Sequence, residues 1–115
     1  MANLQTSTRQ VDGVAIVELA GRITLGEANT VVRDVINDLL SKGNKKILLS
    51  LGNVNYIDSS GIGVLVSSLT AVRNQGGTLK LLNPIKRIRD LLQLTKLSSI
   101  FDIQDDEATA VASFR

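Results

Sequence analysis

Asp58, Ser59, Ser60 and Gly61 stand where a wholly apolar run gives way to an apolar-periodic one, the place where a strand should turn into a helix. A short side-chain oxygen at Asp58 or Ser59 can accept a hydrogen bond from the unpaired amides of a helix's first turn, so either is a candidate N-cap, and Ser60 falls within that turn. Two chemistries suit a serine there. As a nucleophile Ser60 needs a base, yet the chain has no histidine, and no Ser-x-x-Lys spacing surrounds it to supply a lysine. As a phosphate acceptor it needs only exposure and a place for the product, because the free amides and dipole of a helix N-terminus favour an anion. A phosphoryl group brings about −1.5 to −2 charges. That charge would crowd Asp58 and spoil a neutral docking face while leaving the fold intact, turning an ordinary cap into a switch. Gly61-Ile62-Gly63 matches the beginning of a dinucleotide fingerprint, but Val66 occupies the third glycine position, and close backbone packing explains these glycines better.

The elements that must position this stretch follow from the pattern on either side. Leu4 to Arg9 alternates loosely and is rich in threonine, which suits an edge strand. Asp12-Gly13 then predicts a hairpin, since both residue types tolerate positive φ. Val14 to Leu19 is nearly continuous in apolar residues, as in a strand covered on both faces, and only Glu18 goes unexplained. Residues 21–26 connect it to a first helix, with Thr24 a possible cap and Glu27 completing a capping-box spacing. Ala28, Val31, Val32, Val35, Ile36, Leu39 and Leu40 form one face of that helix, which Gly43 ends. Ile47 to Leu51 predicts a buried central strand reached by a crossover, and residues 52–57 a loop leading to Asp58.

The second helix should run to about Gln75, where Gly76-Gly77 breaks it. Thr78 to Leu82 predicts a strand, and Asn83-Pro84 starts a helix with the apolar positions Ile85, Ile88, Leu91 and Leu92. Ser99 to Ile103 suggests a last short strand, and Asp105-Asp106-Glu107 opens a terminal helix carrying Ala108, Val111 and Ala112. Strands alternating with helices after an antiparallel hairpin indicate one α/β domain over residues 1–115, a single mixed sheet of about four or five strands with about four helices on it.

At about 100° per residue, Leu65, Val66, Leu69 and Val72 collect with Ile62 on the sheet-facing side of the second helix. Ser60 projects nearly opposite. Ser67 and Asn74 continue that outward line, with Gly63, Val64 and Ala71 between them. A stripe of small, uncharged residues invites another surface to dock, and the expected partner-binding set is Ile62, Gly63, Val64, Ser67 and Ala71. The competing reading makes Asp58-Ser59-Ser60 a cap alone, with Val64 and Ala71 covered by a second layer of the same protein.

Composition removes several functions. At 115 residues, 43% hydrophobic against 21% charged, the chain can bury a core without disulfides or metal staples. The absence of both cysteine and histidine excludes disulfides, thiolate nucleophiles, histidine bases and histidine-containing metal sites. A net charge of +2 is too mild to imply nucleic acid, and Lys86, Arg87 and Arg89 at helical spacing mark a solvated face. Met1-Ala2-Asn3-Leu4 has no basic segment followed by an apolar one, and no apolar run approaches the about 20 residues of a membrane span. A soluble cytoplasmic protein is expected.

The Asp12-Gly13 hairpin, Leu19-Ala20-Gly21-Arg22-Ile23, the strand ending at Leu51, Val54, and above all Ile57-Asp58-Ser59-Ser60-Gly61-Ile62-Gly63 resemble the STAS domain family, specifically the single-domain bacterial anti-sigma factor antagonists. In that family the second serine of the Asp-Ser-Ser-Gly run is phosphorylated by the anti-sigma factor, a serine kinase, and by position that serine is Ser60. The resemblance implies partner switching in transcription regulation. The unmodified antagonist binds the kinase and frees a sigma factor; the phosphorylated form lets go and awaits a phosphatase. The kinase brings ATP and Mg²⁺, so no cofactor and no enzyme activity are expected of this chain. Its phosphosite surroundings are Asp58, Ser59, Gly61 and Thr24. Many family members carry Asp where this sequence has Thr24, which reduces the negative charge expected beside Ser60. The alternative within the family is a constitutive, unphosphorylated subunit of a transporter or signalling assembly.

Overall fold

The computed structural model describes residues 4–114, so the Met1-Ala2-Asn3 start lies outside the described residues. Strand β1 (Leu4–Val11) runs into β2 (Val14–Ile23) through Asp12 and Gly13 at φ 49° and 81°, the left-handed pair that a two-residue hairpin needs, with Val11 opposite Val14. Three crossovers follow: α1 (Glu27–Ser41) to β3 (Lys46–Ile57), α2 (Ser59–Asn74) to β4 (Thr78–Leu82), and α3 (Lys86–Leu94) to β5 (Asp102–Gln104). Helix α4 (Glu107–Ala112) closes the described chain. The sheet order is β1-β2-β3-β4-β5, antiparallel at the first pair and parallel at the rest. Because successive crossovers advance in one direction with one handedness, α1, α2 and α3 fall on the same face.

Period-two alternation divides the core between the two faces. Ala15, Val17, Leu19, Ile47, Leu49, Leu79 and Leu81 pack under α1, α2 and α3, while Val14, Ile16, Leu48 and Leu82 pack with Ala110 and Val111 of α4. The second face is fastened by charge as well. Lys80 is buried there; its Nζ donates to the Ser113 carbonyl (3.0 Å) and hydroxyl (2.8 Å), lies 3.1 Å from Asp102, and stands over the Phe114 ring. Arg9 bridges Glu18 and Glu107, which gives Glu18 its place on an otherwise apolar strand.

Several expectations are corrected. Residues 21–23 belong to β2 and residues 52–57 to β3, rather than to loops. The two strands pair through to Ile23 opposite Ile57, with register shifts after Glu18 and Gly21 that hide the alternation from the sequence. Thr24 does not cap α1. The residue before the helix is Gly26, at φ 101° and without a side-chain cap bond, and the Leu25 amide that a Thr24 cap would place in the first turn is bonded to Asp58 instead. Pro84 lies two residues ahead of α3, whose flanking residue is Ile85. A single turn at Leu97–Ser99 displaces the last strand to Asp102–Gln104. Asp106 caps α4 by accepting from the Thr109 amide (2.9 Å), and the helix buries Ala110 and Val111 while Ala108 and Ala112 are exposed. No helix among the described residues is long and apolar enough to cross a membrane.

Candidate functional site

The parallel strands β2 and β3 end side by side, and the Asp58 amide donates to the Ile23 carbonyl (3.3 Å), so the last rung of the sheet sets where α2 begins. Asp58 is the N-cap. Its Oδ1 accepts from the Gly61 amide (2.8 Å), satisfying one of the unpaired donors of the first turn, and its Oδ2 accepts from the Leu25 amide (3.0 Å). One carboxylate therefore joins the β2–α1 loop to the start of α2. Ser59, which the sequence leaves as an alternative cap, is instead the first helical residue and is exposed.

Ser60 is half-buried on the next position. Its hydroxyl donates to Asp58 Oδ1 (2.6 Å) and accepts from Asn29 Nδ2 of α1 (3.0 Å). The Ser60 hydroxyl first, then the Gly61 amide, hold the Asp58 carboxyl below the usual carboxylate range against the opposing effect of desolvation, with a lesser lowering from the Leu25 amide. An ionised acceptor thus lies on the Ser60 proton, and the oxygen that loses that proton is a nucleophile toward a phosphoryl donor. Thr24, half-buried and uncharged, precedes Leu25 and leaves Asp58 as the carboxylate bonded to Ser60. Among the described residues no group of three or more Asp, Glu, His or Cys is placed to hold a metal.

The outward face of α2 is turned from where helical phase puts it. Gly63 and Ser67 are exposed as expected, and Ser59 and Thr70 join them, while Ile62 and Val66 are half-buried. Val64, expected to face outward, is 3% exposed and belongs to the apolar cluster that contains Val32 and Ile36 of α1. Ala71 is half-buried at the edge of a cleft with Asn37, Leu40 and Ser41 of α1. The reason is that α1 lies beside α2 on the same face of the sheet, so α2 has two neighbours to cover and not one. Val64 is therefore covered by the same protein, as the competing expectation has it, but by the neighbouring helix of the same layer and not by a second layer. What remains open is a stripe of Ser59, Gly63, Ser67 and Thr70, small and uncharged, that continues to the exposed Asn74 as expected, with Arg73 exposed beside it.

Asn29 is absent from the sequence-derived set. It sits beside the apolar positions of α1 and is one of the buried polar residues, 9% exposed. An asparagine at a core-facing phase of an amphipathic helix is the signal that marks it.

The STAS domain family model matches residues 5–110. The anti-sigma-B factor antagonist of Bacillus subtilis is 35% identical over 101 residues, 88% of this chain and 91% of the relative. The crystal structure of the Thermotoga maritima protein TM1081 superposes with a TM-score of 0.85 at 30% identity, covering 96% of this chain and 94% of that one. The Bacillus cell fate determinant SpoIIAA in its phosphorylated form shares the fold, with a TM-score of 0.75 at 21% identity over 96% of this chain and all of that one. With a five-stranded mixed sheet and four α-helices among the described residues, and the Asp-Ser-Ser-Gly run at the head of α2, the chain belongs to the STAS domain family.

Proposed function

We propose that this protein is an anti-sigma factor antagonist that binds an anti-sigma factor serine kinase while Ser60 is unmodified and is released when Ser60 is phosphorylated. The observation that carries the reading is the Ser60 hydroxyl, hydrogen-bonded to Asp58 over 2.6 Å at the edge of an exposed, uncharged helix stripe. Relatives of similar length that bear the name anti-sigma factor antagonist support it.

Ser59, Gly63, Ser67 and Thr70, flanked by half-buried Ile62, form the docking face for the kinase. Small uncharged side chains allow close backbone approach and require little desolvation. The kinase holds ATP and Mg²⁺, and the chain is its substrate. Phosphorylation replaces the Ser60 hydrogen, so the bond to Asp58 is lost and about −1.5 to −2 charges arrive beside a carboxylate already bonded to the Gly61 amide. The helix N-terminus tolerates the anion, so the fold persists, but the docking face is no longer neutral. A phosphatase acting on phospho-Ser60 restores binding, and the cycle takes place in the cytoplasm with the transcription machinery.

The direct test incubates the purified chain with ATP, Mg²⁺ and each anti-sigma factor serine kinase of the same genome, then maps the modified residue by mass spectrometry. Modification at Ser60 is expected. Modification at Ser59 alone, or none by kinases active on another antagonist, overturns the reading and leaves a constitutive STAS subunit in its place.

A further inference from the structure

The Ser60 hydroxyl has one proton to donate and two lone pairs to accept with. The proton lies toward Asp58 Oδ1, and one lone pair receives Asn29 Nδ2. The remaining lone pair is the one without a described partner on the protein, so the hydroxyl cannot rotate without breaking a bond to one neighbour or the other. The amide of Asn29 is itself oriented by this arrangement. Turned over, it would set Oδ1 against an oxygen whose proton is already bonded to Asp58, bringing two acceptors face to face. In the orientation that works, Asn29 Oδ1 is buried without a hydrogen-bond partner. A buried unpartnered acceptor is destabilising, and a leucine would occupy the same position on α1 without it. The bond to Ser60 is what this asparagine supplies and a leucine does not.

We propose that Asn29 is a positioning residue for phosphorylation of Ser60, fixing the hydroxyl so that its proton rests on Asp58 and its free lone pair meets the γ-phosphoryl group of ATP. The inference builds on the reading of Ser60 as the phosphoacceptor. In the transfer, the Ser60 Oγ–Pγ bond forms as the bond from Pγ to the bridging oxygen breaks, ADP departs with that electron pair, and the hydroxyl proton passes to Asp58. Afterwards Oγ has no proton, so its bond to Asp58 ends, whereas an ester oxygen still accepts from Asn29 Nδ2. Asn29 thereby holds the side chain in one place in both states, and the change of state falls on Asp58 and the β2–α1 loop bonded to it.

The test compares Asn29→Leu and Asn29→Asp with the parent, using the kinase that modifies Ser60, saturating ATP and Mg²⁺, and separate kcat and KM for the antagonist. For Asn29→Leu the expected result is an unchanged KM with kcat lowered about tenfold or more, and a melting temperature no lower than the parent's. Asn29→Asp introduces a second acceptor facing Oγ, so its kcat relative to the parent falls at neutral pH. It recovers toward about pH 5 as the introduced carboxyl, raised by the like charge of Asp58, protonates and donates again. Asp58 faces Ser60 from the β3–α2 junction, and Glu27 on α1 is exposed; both are shared with the parent, whose profile is the reference. An unchanged kcat in Asn29→Leu, a change in KM alone, or a loss in Asn29→Asp that does not recover at low pH overturns the positioning role. The recovery also decides the matter if Asn29→Leu folds poorly. A parent modified at Ser60 with unaffected variants sinks the role of Asn29 alone, whereas a parent never modified at Ser60 sinks the phosphoacceptor reading beneath it.

Discussion

Gly61 lies against the end of β2 so closely that a Cβ added to it would overlap the Ile23 carbonyl oxygen and stand 2.8 Å from Ile57 Cγ2. The same carbonyl accepts from the Asp58 amide, so the glycine lets α2 start flush with the last rung of the sheet. Gly61→Ala must push the helix off that rung. We expect a loss of about 1–3 kcal/mol in urea denaturation and a displaced Ser60. Gly63 is the control, because a Cβ there meets nothing within 4 Å. Gly63→Ala should gain about 0.5–1 kcal/mol from helix propensity while weakening kinase binding through the added methyl group.

Asp58 links stability to pH. Its carboxyl is depressed in the folded state, chiefly by the Ser60 hydroxyl and then by the Gly61 amide, relative to an ordinary value of 3.8. A depressed acid contributes stability that is present above its unfolded pKa and is lost as pH falls through the folded pKa. Asp58→Ala should therefore melt at a lower temperature than the parent at pH 7, with the gap closing in acid. A gap independent of pH would mean that the carboxylate charge does not contribute to the cap. Phosphorylated protein should lose the Asp58 contribution at higher pH than the unmodified form, since the phosphate raises the carboxyl it displaces.

Val64 and Ser67 separate packing from docking on one helix. Val64→Ala should cost about 1.5–3 kcal/mol in thermal or denaturant unfolding, because the side chain is buried beside α1. Ser67→Arg, on the exposed stripe, should change stability by no more than about 0.5 kcal/mol and abolish capture of the unmodified protein by the kinase. Retained affinity in Ser67→Arg would place the interface elsewhere.

Ser60 itself distinguishes a switch from a cap. Ser60→Ala should bind the kinase about as well as the parent and resist release by ATP. Ser60→Asp should remain folded yet bind at least tenfold more weakly, about 1.4 kcal/mol, by calorimetry. Unfolding of Ser60→Asp would show that the position serves the cap alone.

The sequence by itself determined what local chemistry controls. Asp12-Gly13 must turn, Gly43 and Gly76 end their helices at positive φ, and α2 is capped at Asp58 or Ser59, since each depends on residues a few positions apart; the structure chooses Asp58. The α/β alternation was legible for the same reason. Relations between distant segments were settled by the tertiary structure. Residues 52–57 read as a loop because polar Asn53 and Asn55 interrupt the apolar run, and they become strand because β2 also continues past its bulges to pair with them. Helical phase gives a side chain's direction about its own axis but not which neighbour lies there. Once α1 settles beside α2, Val64 becomes core and Asn29 comes within 3.0 Å of Ser60, 31 positions away along the chain.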